Sequence, residues 1–554
     1  MEHLEIILIL LAVIAGLAPL ADKIKLPFPV ALVIVGLLIG FIPGLPGIKL
    51  DPEVVFLVFL PPLLYEAAFN TSWKDIKAER RTILFLSVRM VFFTAAVLAV
   101  IIHYLVPGFT WTLAIILGAI ISPTDAVAVT AATKGLRLPR KVVTAIEGES
   151  LLNDASALII YRYAIAVVIS GTLVSWKGWL PFMEGFWKGW LQFMIVTTGG
   201  ILIGLVIGYA FSKVQKWLAG NPVVEISLTL LVGYVAYLVG DNLHTSGVLA
   251  VVTTGLFISW RSFDIFSYRT RLQMNVFWQI LIFLLNGFIF ILIGLQLPSI
   301  IKGIGSEHLL AMTGYGLLIS GAAILFRPLV LIPASYVHPQ GMKLSKAEMA
   351  ARRRELIVIS WSGMRGVVSL ATALAVPLTM AGGKVFPHRD EILFLTFMVI
   401  LVTLLVQGLT FPYIVWKLNV REEDANRLEQ EQQLRTEMIH VSIAFIDDNL
   451  SNQLDKRVLD ELRVDFTDRL NYVKGVINTD DPAAQFPLSK HDLFQEYLEA
   501  ELKILHLQRD YVINMHKRGL YGDEILHKLE QELDVWNMSL NTRMQSVQAN
   551  VIHI

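Results

Sequence analysis

The stretch Glu147-Gly-Glu149-Ser150-Leu-Leu-Asn153-Asp154-Ala-Ser156 brings together side chains able to hold a proton or a hard cation. It runs into the apolar Tyr163-Ala-Ile-Ala-Val-Val-Ile, and apolar runs of bilayer-spanning length lie on both sides of it. A carboxylate inside a transmembrane segment costs at least a few kcal/mol and faces an aqueous cavity or a partner. On a helix, Glu149 and Asp154 are rotated by about 140° from each other and need not share a partner. Ser150 and Asp154, four apart, lie on one face. Hydroxyl and carboxylate oxygens are hard ligands suited to a small cation or a proton. A single carboxylate that takes either one makes exchange obligatory: ionised and empty it is too costly to carry across an apolar barrier, and neutralised by either ion it can cross.

The rest of the chain has to position that carboxylate between two sides of a membrane. The 554 residues are 55% hydrophobic and 17% charged, with a mean hydropathy of +0.61. The average hides a division: residues 1–420 are nearly continuous apolar spans, and 421–554 are rich in Glu, Asp, Arg, Lys and Gln. The first part reads as a polytopic membrane domain and the second as a cytoplasmic helical domain, all-α throughout. Apolar runs fall at about 3–21, 28–43, 53–69, 82–105, 111–132, 142–168, 189–212, 223–240, 245–259, 274–297, 308–334, 356–378 and 391–416, which predicts about 13 crossings. Alternate connections hold twenty Lys and Arg on one side against six on the other. The positive-inside rule then puts the N-terminus outside and the charged tail in the cytoplasm. Acidic Glu2 and Glu5 ahead of the first run are unlike a secretory leader, so it reads as a retained helix. A formal net charge of zero argues against a nucleic-acid partner. Zero Cys excludes disulfides, thiolate metal sites and Cys nucleophiles. Trp176, Trp179, Trp187 and Trp190 predict a connection at 171–190 lying in the headgroup layer.

Two spans are interrupted. Ser122-Pro123-Thr124-Asp125 puts a proline and an acid in the fifth, and Gly363-Met-Arg365-Gly366 puts two glycines around an arginine in the twelfth. Broken helices at membrane depth are tolerated where protein or a water-filled cavity satisfies the freed backbone. Two of them seven spans apart point to a midplane binding site between two inverted repeats. Asp125 and Arg365 either neutralise half-helix ends or touch the ion, and Arg365 could also pair directly with Glu149. Glu66, at the end of the third span, is either an interfacial carboxylate or a further oxygen of the cation site. Arg89, Arg162 and Arg327 pair internally or reach an interface. Gly199, Gly200, Gly204 and Gly208 suit close helix packing. In the tail, four helices are expected, at 422–449, 454–477, 490–518 and 523–547, with a turn at 478–482. They form either a passive assembly element or a regulatory module.

Ser122-Pro-Thr-Asp125-Ala-Val-Ala-Val, Gly148-Glu-Ser-Leu-Leu-Asn153-Asp154 and Gly363-Met-Arg365-Gly366-Val-Val-Ser369-Leu, in that order, resemble the bacterial NhaP-type sodium/proton antiporters. These belong to the monovalent cation:proton antiporter family with the eukaryotic sodium/proton exchangers. The resemblance covers about 1–420. It implies 13 helices in two inverted repeats, a homodimer, and a six-helix core with two crossed, broken helices that moves like an elevator. It implies that Asp154 is the acid binding cation or proton, with Ser150, Thr124 and Glu66 as cation ligands. Asn153 takes the place of a second aspartate found in electrogenic relatives, which implies one cation per proton. Glu149 and Arg365 match a structural ion pair, and Asp125 the acid of the crossed-helix break. No cofactor is implied; Na⁺ or Li⁺ and H⁺ are the substrates, serving pH and sodium homeostasis at the inner membrane. A K⁺/H⁺ antiporter of the same fold and a cation channel are the rival readings. An intramembrane aspartyl protease lacks Gly-x-Gly-Asp, and a serine hydrolase lacks Gly-x-Ser-x-Gly, so an enzyme is not expected.

Overall fold

A bilayer offers no water to backbone N–H and C=O groups, so each apolar run must satisfy its own as a helix. The computed structural model describes residues 2–552 apart from 25, 43–51, 134, 135, 137, 171–178, 219, 305, 335–344, 381–383, 421–423 and 475–490. Within them each of the thirteen apolar runs is helical. The one extended pairing among the described residues is a lone bridge between Thr379 and Val385. Among the described residues, seven helices are long and apolar enough to cross a membrane, including Trp73–Leu105, Arg140–Ile169, Tyr268–Pro298 and Arg389–Leu418. Five apolar helices are shorter, among them Phe28–Gly40 and Trp111–Ile121. Both expected interruptions are present. Helix Trp111–Ile121 stops and Ala126–Thr133 resumes after Asp125; helix Lys346–Trp361 stops and Val367–Leu374 resumes after Gly366.

Two details differ from the sequence reading. The connection expected at 171–190 is shorter, because helix Trp179–Trp217 already starts at Trp179. Pro181 falls in its first turn, where a missing N–H costs nothing; Trp176 lies outside the described residues. Helix Trp73–Leu105 contains a π turn at Phe85–Met90, which packs against the Arg140–Ser170 helix. The glycine stripe does what its spacing suggested. A Cβ on Gly200 or Gly204 would overlap the carbonyl of Ser246 or Ala250, so helix Gly247–Ile265 lies directly on the Trp179–Trp217 helix.

The chain divides into two units: 1–217, 227–262 and 277–422 in the first, and 218–226, 263–276 and 423–554 in the second. The second unit therefore combines the charged tail with two short segments of the apolar region. Its main helices are Asp424–Phe445, Lys456–Val473, His491–Arg518 and Asp523–Ile552; the turn expected at 478–482 lies outside the described residues. Val458, Leu462, Phe466 and Leu470 recur every four residues and close a core with Leu498, Ile504 and Leu505. Leu434 and Met438 form a second cluster with Val512, Leu526 and Leu529.

One carboxyl sits inside this core. Glu501 is 2% exposed and 3.2 Å from Arg469. Burial, against the opposing pull of Arg469, raises its pKa to about 7. An acid whose folded pKa is raised favours folding fully below its unfolded pKa and loses that contribution as pH rises through the folded value. The window runs from the ordinary value of 4.5 to about 7, worth roughly 3 kcal/mol. Amide hydrogen exchange in helices Lys456–Val473 and His491–Arg518 is expected to be faster at pH 8 than at pH 6 after correction for intrinsic rates. Glu501→Gln is expected to remove most of that difference; an unchanged pH dependence in the variant refutes the assignment.

Candidate functional site

The two helix breaks meet. The Asp125 N–H donates to the Met364 carbonyl at 2.8 Å. One Asp125 carboxylate oxygen accepts from Val127 N–H at 2.8 Å, and the other accepts from Val367 N–H at 3.3 Å. Asp125 thus caps the N-termini of both resumed helices, whose orphan N–H groups and positive ends favour an anion. Gly366 has no side chain for a reason: a Cβ there would fall on the Asp125 carboxylate.

Arg365 serves the opposite ends. It is fully buried, and its guanidinium donates to the carbonyls of Ile121 at 3.1 Å, Ala323 at 3.5 Å and Gly363. Ile121 ends the first half-helix and Gly363 follows the second, so the arginine binds carbonyls released where the helices stop. Its contacts are neutral, and the direct Arg365–Glu149 pair expected from sequence is not formed.

Glu149 pairs instead with Arg327. Arg327 Nη1 lies 2.5 Å from one Glu149 oxygen and Nη2 lies 2.9 Å from the other. Both side chains are nearly inaccessible, 3% and 2% exposed. Such a bidentate fork is the strongest geometry available to a guanidinium and a carboxylate. The backbone at residue 363 leaves Arg327 its path. The arginine rises from helix Ser306–Ala334 past Gly363, where any Cβ would collide with its stem, and its Nη2 is also held by the Ile359 carbonyl at 3.1 Å. The sequence signal was a lone arginine inside the apolar run 308–334, which by itself names no partner.

The pair extends toward the broken helix. The Thr124 hydroxyl donates to Glu149 at 3.0 Å and accepts from Asn153 Nδ2 at 2.9 Å. Asn153 Nδ2 also donates to the Thr124 carbonyl at 3.0 Å. Glu149 and Asn153, four apart on helix Arg140–Ser170, therefore grip the break from one helix face. Thr124 orients this network first; a hydroxyl offers one proton and two lone pairs, so one lone pair remains for a cation. Asn153 Oδ1 is buried with no hydrogen-bond partner among the described residues.

Asp154 is next along the helix and turned about 100° away. It is 4% exposed, and none of the described hydrogen bonds or ion pairs involves its carboxylate. Asp125 is near enough to bear on it electrostatically. Ser150 lies on Asp154's side of the helix and is partly accessible. Glu66 is placed differently. It lies four residues before the end of helix Pro52–Asn70, accepts from Asn70 Nδ2 at 2.6 Å, and lies in electrostatic range of Glu147; no described contact joins it to Asp154. Among the described residues, Asp154 has no hydrogen bond or ion pair, while Asp125, Glu149, Arg327 and Arg365 around it each have bonded partners.

Comparison with known proteins gives the family and the fold. The sodium/hydrogen exchanger transmembrane family model matches residues 9–417. An uncharacterized Na⁺/H⁺ exchanger of Mycobacterium tuberculosis is 31% identical over 541 residues, covering 97% of this chain and 95% of its own. A sodium, potassium, lithium and rubidium/H⁺ antiporter of Bacillus subtilis is 29% identical over 428 residues, 75% of this chain and 62% of its own. The structure of the sodium proton antiporter MjNhaP1 from Methanocaldococcus jannaschii superposes with a TM-score of 0.56 at 21% identity, over 76% of this chain and 99% of that one; it shares the fold. The chain belongs to the sodium/hydrogen exchanger family and is a multi-pass cation/proton antiporter, not an enzyme.

Proposed function

We propose that the protein exchanges Na⁺ or Li⁺ for H⁺, one for one, with Asp154 as the group that takes either ion. The observation that carries this reading is the isolation of Asp154. Glu149 has Arg327, Asp125 has two helix N-termini and Arg365 has three carbonyls, while Asp154 is buried with none of these. A buried carboxylate is stable only when neutralised, and the cation or the proton supplies that charge. Ser150 and the free lone pair of Thr124 add oxygen ligands, and Glu66 gathers cations nearby. Asn153 supplies no second titrating charge beside Asp154, so one positive charge neutralises the site in each direction. The protein works in the inner membrane as a homodimer, N-terminus outside and tail in the cytoplasm, in pH and sodium homeostasis.

The competing reading is K⁺/H⁺ exchange at the same site, favoured by the cation range in the name of the Bacillus subtilis relative. Purified protein in proteoliposomes with an imposed pH gradient and an internal pH dye separates the two. Na⁺ and Li⁺ are expected to collapse the gradient and K⁺ is not, whether or not valinomycin clamps the potential. Collapse by K⁺ alone would replace sodium as the substrate. Collapse that follows the potential would overturn the one-for-one stoichiometry.

A further inference from the structure

Helix Arg140–Ser170 carries Asp154's face beyond the site. Seven residues on, and so about 10 Å along the axis and within about 20° of the same direction, stands Tyr161. Toward the start of the helix that face is polar and partly accessible, at Glu147 and Ser150. In the other direction it is closed. Ala157 is 3% exposed, Tyr161 6% and Ile165 9%, and the partly buried Leu158 packs against the same apolar core. Tyr161 is the polar member of this closed stretch. Its hydroxyl is buried with no hydrogen-bond partner among the described residues, although a buried tyrosine usually finds one.

The group beside it is a cation. Arg389, the first residue of helix Arg389–Leu418, is near enough to bear on Tyr161 electrostatically. Backbone carbonyls hold that guanidinium in place: Nε donates to Val376 at 2.9 Å and Nη2 to Leu374 at 3.1 Å, where the resumed half-helix Val367–Leu374 ends. One residue beyond the tyrosine, Arg162 pairs with Asp241 at 2.8 Å, both exposed, so Tyr161 stands just inside a rim. A ring in a narrow path blocks it by size, and a fixed guanidinium raises the cost of a cation waiting there. Exchange needs such a closure. Were Asp154 open to both sides at once, a proton could bind from one and leave to the other with no cation moving.

We propose that Tyr161 is the outer gate of the ion path. Its ring separates Asp154 from the outer side in this conformation, and its hydroxyl is the oxygen that a cation meets when that side opens. The inference rests on the antiport reading and orientation proposed above.

The test uses full-length protein in proteoliposomes with a pH gradient and no alkali cation, in choline thiocyanate, whose permeant anion balances moving charge. Tyr161→Ala is expected to dissipate the gradient about tenfold or more faster than the parent, and adding Asp154→Asn to restore the parent's tightness. Tyr161→Phe keeps the ring and strands no described partner. It is expected to stay tight and to hold its thermal midpoint, while KM for whichever of Na⁺ or K⁺ the parent carries rises about threefold or more at similar kcat. The native chain has no cysteine, so Ala157→Cys places a single thiol between Asp154 and Tyr161. In intact cells that thiol is expected to react with an impermeant cationic thiol reagent about tenfold or more faster when Tyr161→Ala is added. A tight Tyr161→Ala with unchanged labelling of Ala157→Cys overturns the gate. So does a leak that survives Asp154→Asn, which marks a damaged fold rather than an opened path. Tyr161→Phe with the parent's KM overturns the role of the hydroxyl, and that arm stands even where Tyr161→Ala does not insert. A parent in which no cation collapses the gradient sinks the antiport reading instead; faster labelling of Ala157→Cys then still marks Tyr161 as the closure.

Discussion

Asp154→Asn is expected to abolish cation-driven proton movement while leaving the protein folded and inserted. The amide cannot ionise, so it offers neither a proton site nor a charge to a cation. Losing a few kcal/mol of ion stabilisation at the barrier corresponds to a drop on the order of a hundredfold or more. The stability outcome follows from the same geometry. Asp154 has no described protein partner, so neutralising it strands no other group, and it removes the cost of an unpaired buried charge. The thermal midpoint of Asp154→Asn, read at a pH where the parent site is ionised and with no transported cation present, is therefore expected to equal or exceed that of the parent. Normal exchange by a correctly inserted variant would falsify the assignment of Asp154. Loss of exchange with a large fall in midpoint would mean that Asp154 holds the fold.

Arg327→Gln is the second large effect, and it falls on stability. It leaves Glu149 buried with one neutral donor, the Thr124 hydroxyl. Breaking a buried ion pair from one side costs about 3–5 kcal/mol. Adding Glu149→Gln removes the stranded charge, so the double variant is expected to recover a large part of the loss, as a coupled pair should. Arg365→Gln makes the contrast. It forfeits bonds to backbone carbonyls, each worth about 1–3 kcal/mol when left unmade, and Glu149→Gln should not rescue it. The measurement is the thermal midpoint of five detergent-purified proteins: Arg327→Gln, Arg365→Gln, Glu149→Gln and each arginine change combined with Glu149→Gln. Rescue of Arg365→Gln and none of Arg327→Gln would restore the pairing first expected from sequence.

That contrast also shows where sequence stops informing. The breaks at 122–125 and 363–366 were legible because proline, glycine and charge in an apolar run have few structural uses. That the two breaks cross was implied by the family resemblance; the signs of Asp125 and Arg365 spoke only for each half-helix end by itself. The partner of Glu149 was not. Arg327 and Arg365 are both lone arginines in apolar runs, and nothing in the sequence says which one takes carbonyls and which one takes the carboxylate. Glu66 is a similar case: its motif suggests a place at the ion, and its described partner is Asn70. In the tail the four-residue apolar spacing announced helices. The burial of Arg271 against Asp534 joins positions 263 residues apart, and no local pattern encodes that.

The helix Arg140–Ser170 keeps Glu149 and Asn153 on one face and Ser150 and Asp154 on another. The first face is bound into Arg327 and Thr124; the second carries the buried Asp154 and the partly accessible Ser150. A substitution at position 150 leaves every member of the Glu149, Arg327, Thr124 and Asn153 network in place. With the acid at 154 kept, lineages can explore which ion is carried by changing the oxygen set beside it, and position 150 invites laboratory evolution of selectivity in an otherwise fixed frame.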